Sequence, residues 1–186
     1  MDIDTLATLA RGIQHCRSCR LWETRTHAVP GSGAFARRTV LLGEAPGEKE
    51  DELGLPFMGR TGRFLDGFLE HNGFHRDDFF ITPAVKCRPP KNRDPRLDEL
   101  AACRDRWLGA QLEALEPRMI LLAGKAAVRQ TLGLEDALTS INGRVFEYRG
   151  IPCLVTYHPT AMMRFKKIRE TAVKNLANLH DILRTA

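Results

Sequence analysis

From Asp4 to Arg20 the apolar positions Leu6, Leu9, Ile13 and Cys16 recur at helical spacing, and Asp4 is placed to cap the segment. A loop carrying Pro30, Gly31 and Gly33 follows. Thr39-Val40-Leu41-Leu42 is an uninterrupted apolar run closed by Gly43, the pattern of a buried strand. Residues 44–62 are rich in Gly, Pro and acids and read as a long functional loop. Helical periodicity returns over 62–72 through Phe64, Leu65, Phe68 and Leu69. A second strand is expected over 78–85, interrupted by Pro83, then a Pro-rich loop over 87–95 and a helix over 97–115. Residues 118–123 form a third buried run, and 125–132 a helix after Gly124. Residues 144–149 with Gly150 suggest a hairpin leading into a fourth buried strand, 151–156, which His158-Pro159 ends. A last helix spans 170–183.

Strands alternating with helices specify an α/β fold with a mainly parallel sheet. No repeat or linker divides residues 1–186, so a single domain is expected. Sites in such sheets lie beyond the carboxyl ends of the strands. That rule selects the loop after Leu42 and the segment after Tyr157.

Charge adds a second constraint. The chain has 28 Lys and Arg against 23 Asp and Glu, a net charge of +5. Acids crowd 44–52, whereas bases crowd 86–96, 104–106 and 164–169, and clustered bases favour a polyanion such as nucleic acid. No run approaches the ~20 apolar residues of a membrane span, and the N-terminus lacks a secretory pattern. A soluble, cytoplasmic monomer is the expectation.

The chemistry-bearing residues fall into two sets. Cys16 and Cys19 stand two residues apart, while Cys87 and Cys103 lie farther along; four thiolates suit either a structural zinc or a 4Fe-4S cluster. Lys86, Arg88, Arg17, Arg20 and Arg104 flank the sulfurs and would offset their charge. Cys153, inside an apolar run, reads as an inert buried thiol. In the second set, Gly43-Glu44-Ala45-Pro46-Gly47 lets the backbone approach something small. Phe57, following a proline in a loop, offers a planar ring for stacking.

These pieces together resemble the family-4 uracil-DNA glycosylases. The resemblance lies in GEAPGEKED (43–51), GLPFMGRTGRFL (54–65), VKCRPPKNR (85–93), Cys103, HPT (158–160) and the pair Cys16 and Cys19. It implies a three-layer sandwich with a central four-stranded, mainly parallel sheet flanked by helices, a 4Fe-4S cluster on the four cysteines with zinc as the alternative, and excision of uracil from DNA. Phe57 resembles the platform for the flipped base, and Gly43, Glu44, Ala45, Pro46 and Gly47 the pocket wall. His158 resembles the donor to the departing base, and Glu44 or Glu50 would hold the water. Read from the residues themselves, 160–169 is an apolar wedge with basic flanks: Met162, Met163 or Arg164 would fill the gap left in the duplex, with Lys166, Lys167 and Arg169 on phosphates. One position departs: Pro83 stands where the family usually carries an asparagine that reads the base. Asn92, a backbone group or the remoter Asn142 would then substitute, or another deaminated base would be preferred. A DNA-binding iron–sulfur module without chemistry is the alternative from a different class.

Overall fold

A computed structural model describes residues 1–185. Its elements are α1 (Ile3–Gln14), β1 (Thr39–Gly43), α2 (Glu48–Leu53), α3 (Arg60–His71), β2 (Phe79–Pro83), α4 (Leu97–Cys103), α5 (Gly109–Leu115), β3 (Met119–Ala123), α6 (Lys125–Leu132), α7 (Leu138–Ile141), β4 (Val145–Tyr148), β5 (Ile151–Thr156), α8 (Pro159–Arg164) and α9 (Lys166–Thr185). The strands form one sheet in the order β2-β1-β3-β5-β4, parallel except where β4 runs against β5. The sheet therefore has five strands rather than the expected four. The first arm of the 144–151 hairpin joins it as an edge strand, half exposed, which explains its alternating rather than continuous pattern.

Side chains alternate across the sheet and divide the core in two. Leu41, Ile81, Leu121 and Leu154 face α3, α8 and α9, while Val40, Leu42, Ile120 and Val155 face α5, α6 and α7. This burial on both faces is why β1 and β3 read as unbroken apolar runs. A third apolar cluster lies under the cysteines, with Ile13, Leu21, Val85 and Trp107.

Several boundaries move. Helix α1 stops at Gln14, with His15 as its C-cap, so Cys16 lies in the turn beyond it. The long loop contains the short α2. Strand β2 ends at Pro83; as a sheet-edge strand it tolerates a proline at its end. The edge is covered by Ser32, which exchanges backbone hydrogen bonds with Ile81 at 2.8 and 2.9 Å. Helix α9 begins at Lys166, four residues before the expected 170. The expected helix over 97–115 is continuous, but residues 104–108 form a π-helical segment directly after Cys103. Among the described residues no helix is long and apolar enough to cross a membrane.

Candidate functional site

The parallel strands β1, β2, β3 and β5 end on one edge of the sheet. From β1 the chain crosses to β2 on one side and β3 lies on the other, which makes that edge the topological switch point. A cleft of about 580 Å³ opens there. Its walls come from 44–50, Pro56 and Phe57, Pro83, the 89–94 segment, His158 and Thr160, with Arg164 at its rim.

The loop after β1 is held by one side chain. Glu50 accepts hydrogen bonds from the backbone N–H of Gly47 (3.0 Å) through one oxygen, and from Met58 (2.7 Å) and Gly59 (2.8 Å) through the other. It stitches 44–47 to 57–59. Of the two carboxyls expected to hold a water, Glu50 is thus engaged with the loop backbone. Glu44 remains, half-buried in the cleft wall, where burial and then the charge of Asp94 hold its carboxyl above the usual range. Asp51 is buried and accepts from Thr26 N–H with both oxygens, tying this loop to the segment after the cysteine pair.

Phe57 sits at φ 53°, a left-handed conformation that costs a non-glycine residue energy and marks an over-determined site. Two glycines hold it there. A Cβ on Gly62 would stand 1.7 Å from the Phe57 carbonyl oxygen, and one on Gly43 would press the ring at 3.0 Å. Behind the other wall, Gly124, at φ 101°, leaves room for His158, whose Cβ would lie 2.9 Å from an added methyl.

The two rings meet at a centroid distance of 5.7 Å and a tilt of 30°. Inserting a planar base between two facing rings needs about 7 Å, twice a carbon contact distance. They therefore form adjoining walls of one cleft, not two sides of a sandwich. His158 caps α8: its Nδ1 accepts from the Thr160 N–H at 3.3 Å and lies 3.1 Å from the Thr160 hydroxyl. With Nδ1 accepting a backbone N–H, the ring proton belongs on Nε2. Burial drives His158 from 6.5 down to about 4, so the ring is neutral near pH 7.

Pro83 pairs in register with Gly43 at the ends of β2 and β1, and its carbonyl accepts from Lys86 Nζ at 2.9 Å. Ala45 and Pro46 line the cleft beside Glu44. Asn92 reaches the cleft from the tip of the 87–95 loop, where Lys91 and Asn92 are both left-handed; its side-chain oxygen accepts from Arg88 Nε at 2.7 Å. Asn142 lies away from the cleft, paired with Asn175, whose amide also donates to Thr156.

Around α8, Met162 is 3% exposed and belongs to the core, which removes it as a group to insert into DNA. Met163 is half-buried, and Arg164, Lys166 and Lys167 are exposed. Sequence reasoning missed Phe165, 57% exposed in the break between α8 and α9. Its signal was an aromatic flanked by bases in a helix-terminating position.

Cys16, Cys19, Cys87 and Cys103 line one small cavity together with Lys86, Arg25 and Trp107. Cys16 Sγ accepts from Trp107 Nε1 (3.2 Å) and Ser18 N–H (3.4 Å), and Cys87 Sγ from Arg25 (3.0 Å). Burial pushes Cys103 up to about 12 and raises Cys87, so both are thiols near pH 7. Among the described residues no His, Cys, Asp and Glu side chains gather as they would around one ion. Four sulfurs lining one cavity, with N–H donors and cations beside them, are a donor set that fits a thiolate-held group. Of the flanking cations expected from the sequence, only Lys86 turns to this cavity. Arg17 stacks on Trp22, Arg20 pairs with Asp98, Arg88 with Asn92 and Arg104 with Asp105. Arg25, without a motif of its own, takes their place. Cys153 is buried and its thiol is pushed up to about 12.

A family profile described as the uracil DNA glycosylase superfamily matches residues 30–180. The chain is similar to the type-4 uracil-DNA glycosylase of Sulfurisphaera tokodaii, at 37% identity over 92% of this chain and 86% of that one. It is 36% identical to the type-4 uracil-DNA glycosylase of Archaeoglobus fulgidus over 97% of this chain and all of that one. A type-5 uracil-DNA glycosylase of Pyrobaculum aerophilum is 30% identical over 81% and 73% of the two chains.

Proposed function

Because the chain belongs to the uracil DNA glycosylase superfamily, we propose that it is a DNA-repair hydrolase that cleaves the N-glycosidic bond of uracil in DNA, releasing the free base and leaving an abasic site. The observation that carries this reading is the cleft at the switch point, walled by Phe57 and by a neutral His158 whose Nδ1 is held by Thr160 N–H.

A stacked base cannot reach such a cleft, so the nucleotide must first leave the helix. The base then lies against Phe57, with the backbone of 44–47 along its edge. As the bond from C1′ to the base nitrogen breaks, its electron pair passes to the base. The Nε2–H of His158 stabilises that negative charge, and a neutral donor needs no proton transfer to do so. Water oxygen bonds to C1′ and its proton leaves to the Glu44 carboxylate or to solvent. Ala45 has no group to assist.

Arg164, Lys166 and Lys167 would take phosphates on the rim, and Phe165 supplies the exposed apolar group beside them. One chain carries every wall of the cleft, so a monomer suffices. Cys16, Cys19, Cys87 and Cys103 would hold a 4Fe-4S cluster, whose contribution is to cross-link the N-terminal segment to the β2–α4 connection. Zinc in place of iron in anaerobically purified protein would reject that cofactor.

Pro83 has no side-chain donor at the cleft wall, and its carbonyl is engaged by Lys86. Base reading therefore falls to Glu44, Asn92 and backbone groups. The test is a lesion panel of U·G, U·A, hypoxanthine and xanthine oligonucleotides scored by alkali cleavage. Uracil release is expected. Release only of another base would redefine the substrate, and release of none would leave a DNA-binding module without chemistry.

A further inference from the structure

Lys86 is 1% exposed, among the deepest side chains in the protein, and is charged by type. Its ammonium donates to the Thr82 hydroxyl at 2.5 Å and the Pro83 carbonyl at 2.9 Å. Among the described residues no carboxylate pairs with it. A buried ammonium without an anion is costly, and its third N–H has no partner among these bonds. The same residue lines the cavity of Cys16, Cys19, Cys87 and Cys103. Its carbonyl accepts from Val29 N–H at 2.7 Å. Val29 and Pro83 both line the base cleft. One residue thus touches the thiolate cavity on one side and two wall residues of the cleft on the other.

We propose that Lys86 is a positioning residue that couples the two sites: its ammonium is the buried counter-charge of the thiolate-held cluster, and its two hydrogen bonds fix the Thr82–Pro83 end of β2 as the cleft wall. The second half rests on the glycosylase reading; the first does not. A thiolate-ligated cluster is anionic, which supplies the charge that the protein itself withholds from Lys86. The Thr82 hydroxyl relays the fixation onward, donating to the Pro30 carbonyl at 2.8 Å, which Gln111 also binds at 2.8 Å.

The test compares the iron-loaded wild type with Lys86→Met, Lys86→Gln and Thr82→Val. Removing a cation beside the cluster disfavours its reduced form, so both Lys86 variants shift the midpoint potential to more negative values. Thr82→Val keeps the charge and leaves the potential unchanged, while raising KM for uracil-containing DNA by about tenfold with a smaller change in kcat. An unchanged potential in loaded Lys86 variants overturns the proposal, as does an equal shift in Thr82→Val or a wild type that binds zinc and no iron. Should the Lys86 variants fail to load, wild type labelled with 15N at the lysine Nζ decides. Hyperfine coupling to the paramagnetic cluster is expected, and its absence overturns the proposal. A wild type that excises no uracil sinks the glycosylase reading without touching the potential.

Discussion

The backbone N–H of Thr160 donates to His158 Nδ1 at 3.3 Å, so the contact that caps α8 also fixes which nitrogen of the imidazole carries the proton. Local helix capping and tautomer selection are here one contact. A helix N-terminus also disfavours a positive ring, in the same direction as burial.

His158 binds its proton at about 4 in the folded chain and at 6.5 when free. Between those values the unfolded chain holds more protons, so stability rises with pH across the window. This contribution is complete above 6.5 and is lost as pH falls through the folded value near 4. In denaturant titrations from pH 4 to 7, stability should rise more steeply with pH in the wild type than in His158→Asn. Excision should likewise show no histidine limb near 6.5.

Replacing the donor tests its role directly. His158→Ala should lower single-turnover excision by about 10²–10³-fold, the usual loss on removing a preorganised donor to developing charge. Circular dichroism should remain native. Turnover within twofold of wild type would remove His158 from the mechanism.

Phe57 offers a separable test. Phe57→Ala should cost roughly 1–3 kcal/mol of stacking on the extruded base, read as weaker binding of an abasic-site oligonucleotide complemented by free uracil. Phe57→Tyr keeps the ring and should retain most of the activity.

The loop clamp should fail as a unit. Glu50→Ala leaves the N–H groups of Gly47, Met58 and Gly59 without their acceptor, at roughly 2 kcal/mol or more of stability. Faster hydrogen exchange at 57–59 should accompany it. Glu50→Gln, which keeps an acceptor, should recover part of the loss.

On the DNA face, each lysine removed from a phosphate contact should flatten the log–log salt dependence of binding by about one unit. Lys166→Ala and Lys167→Ala test this singly. Phe165→Ala should weaken duplex binding more than single-strand binding, because only the duplex has a gap to fill.

Much of this architecture is legible in the chain because β1, β3 and β5 are buried on both faces and leave unbroken apolar runs. Strand β4 was visible as a hairpin arm, but its half-exposed pattern does not say that it extends the sheet. The end of α1 was misread because Cys16 keeps helical spacing while the chain has already turned to present its sulfur. The cysteines, Phe57 and His158 stood out by residue type and by their place beyond strand ends. Arg25 did not: its tie to Cys87 spans 62 positions and leaves no local pattern. Glu50 stood out as a carboxylate for the water, but its clamp on the loop did not, because its partners are main-chain groups that every residue carries.

The carbonyl of Phe57 rests where any side chain at position 62 would begin. The aromatic is thus posed by main-chain geometry and not by the fit of its own ring. For anyone wishing to retune which lesion this scaffold accepts, the ring is the adjustable part and the glycine the frame. A saturation library should accept several letters at 57 and only one at 62.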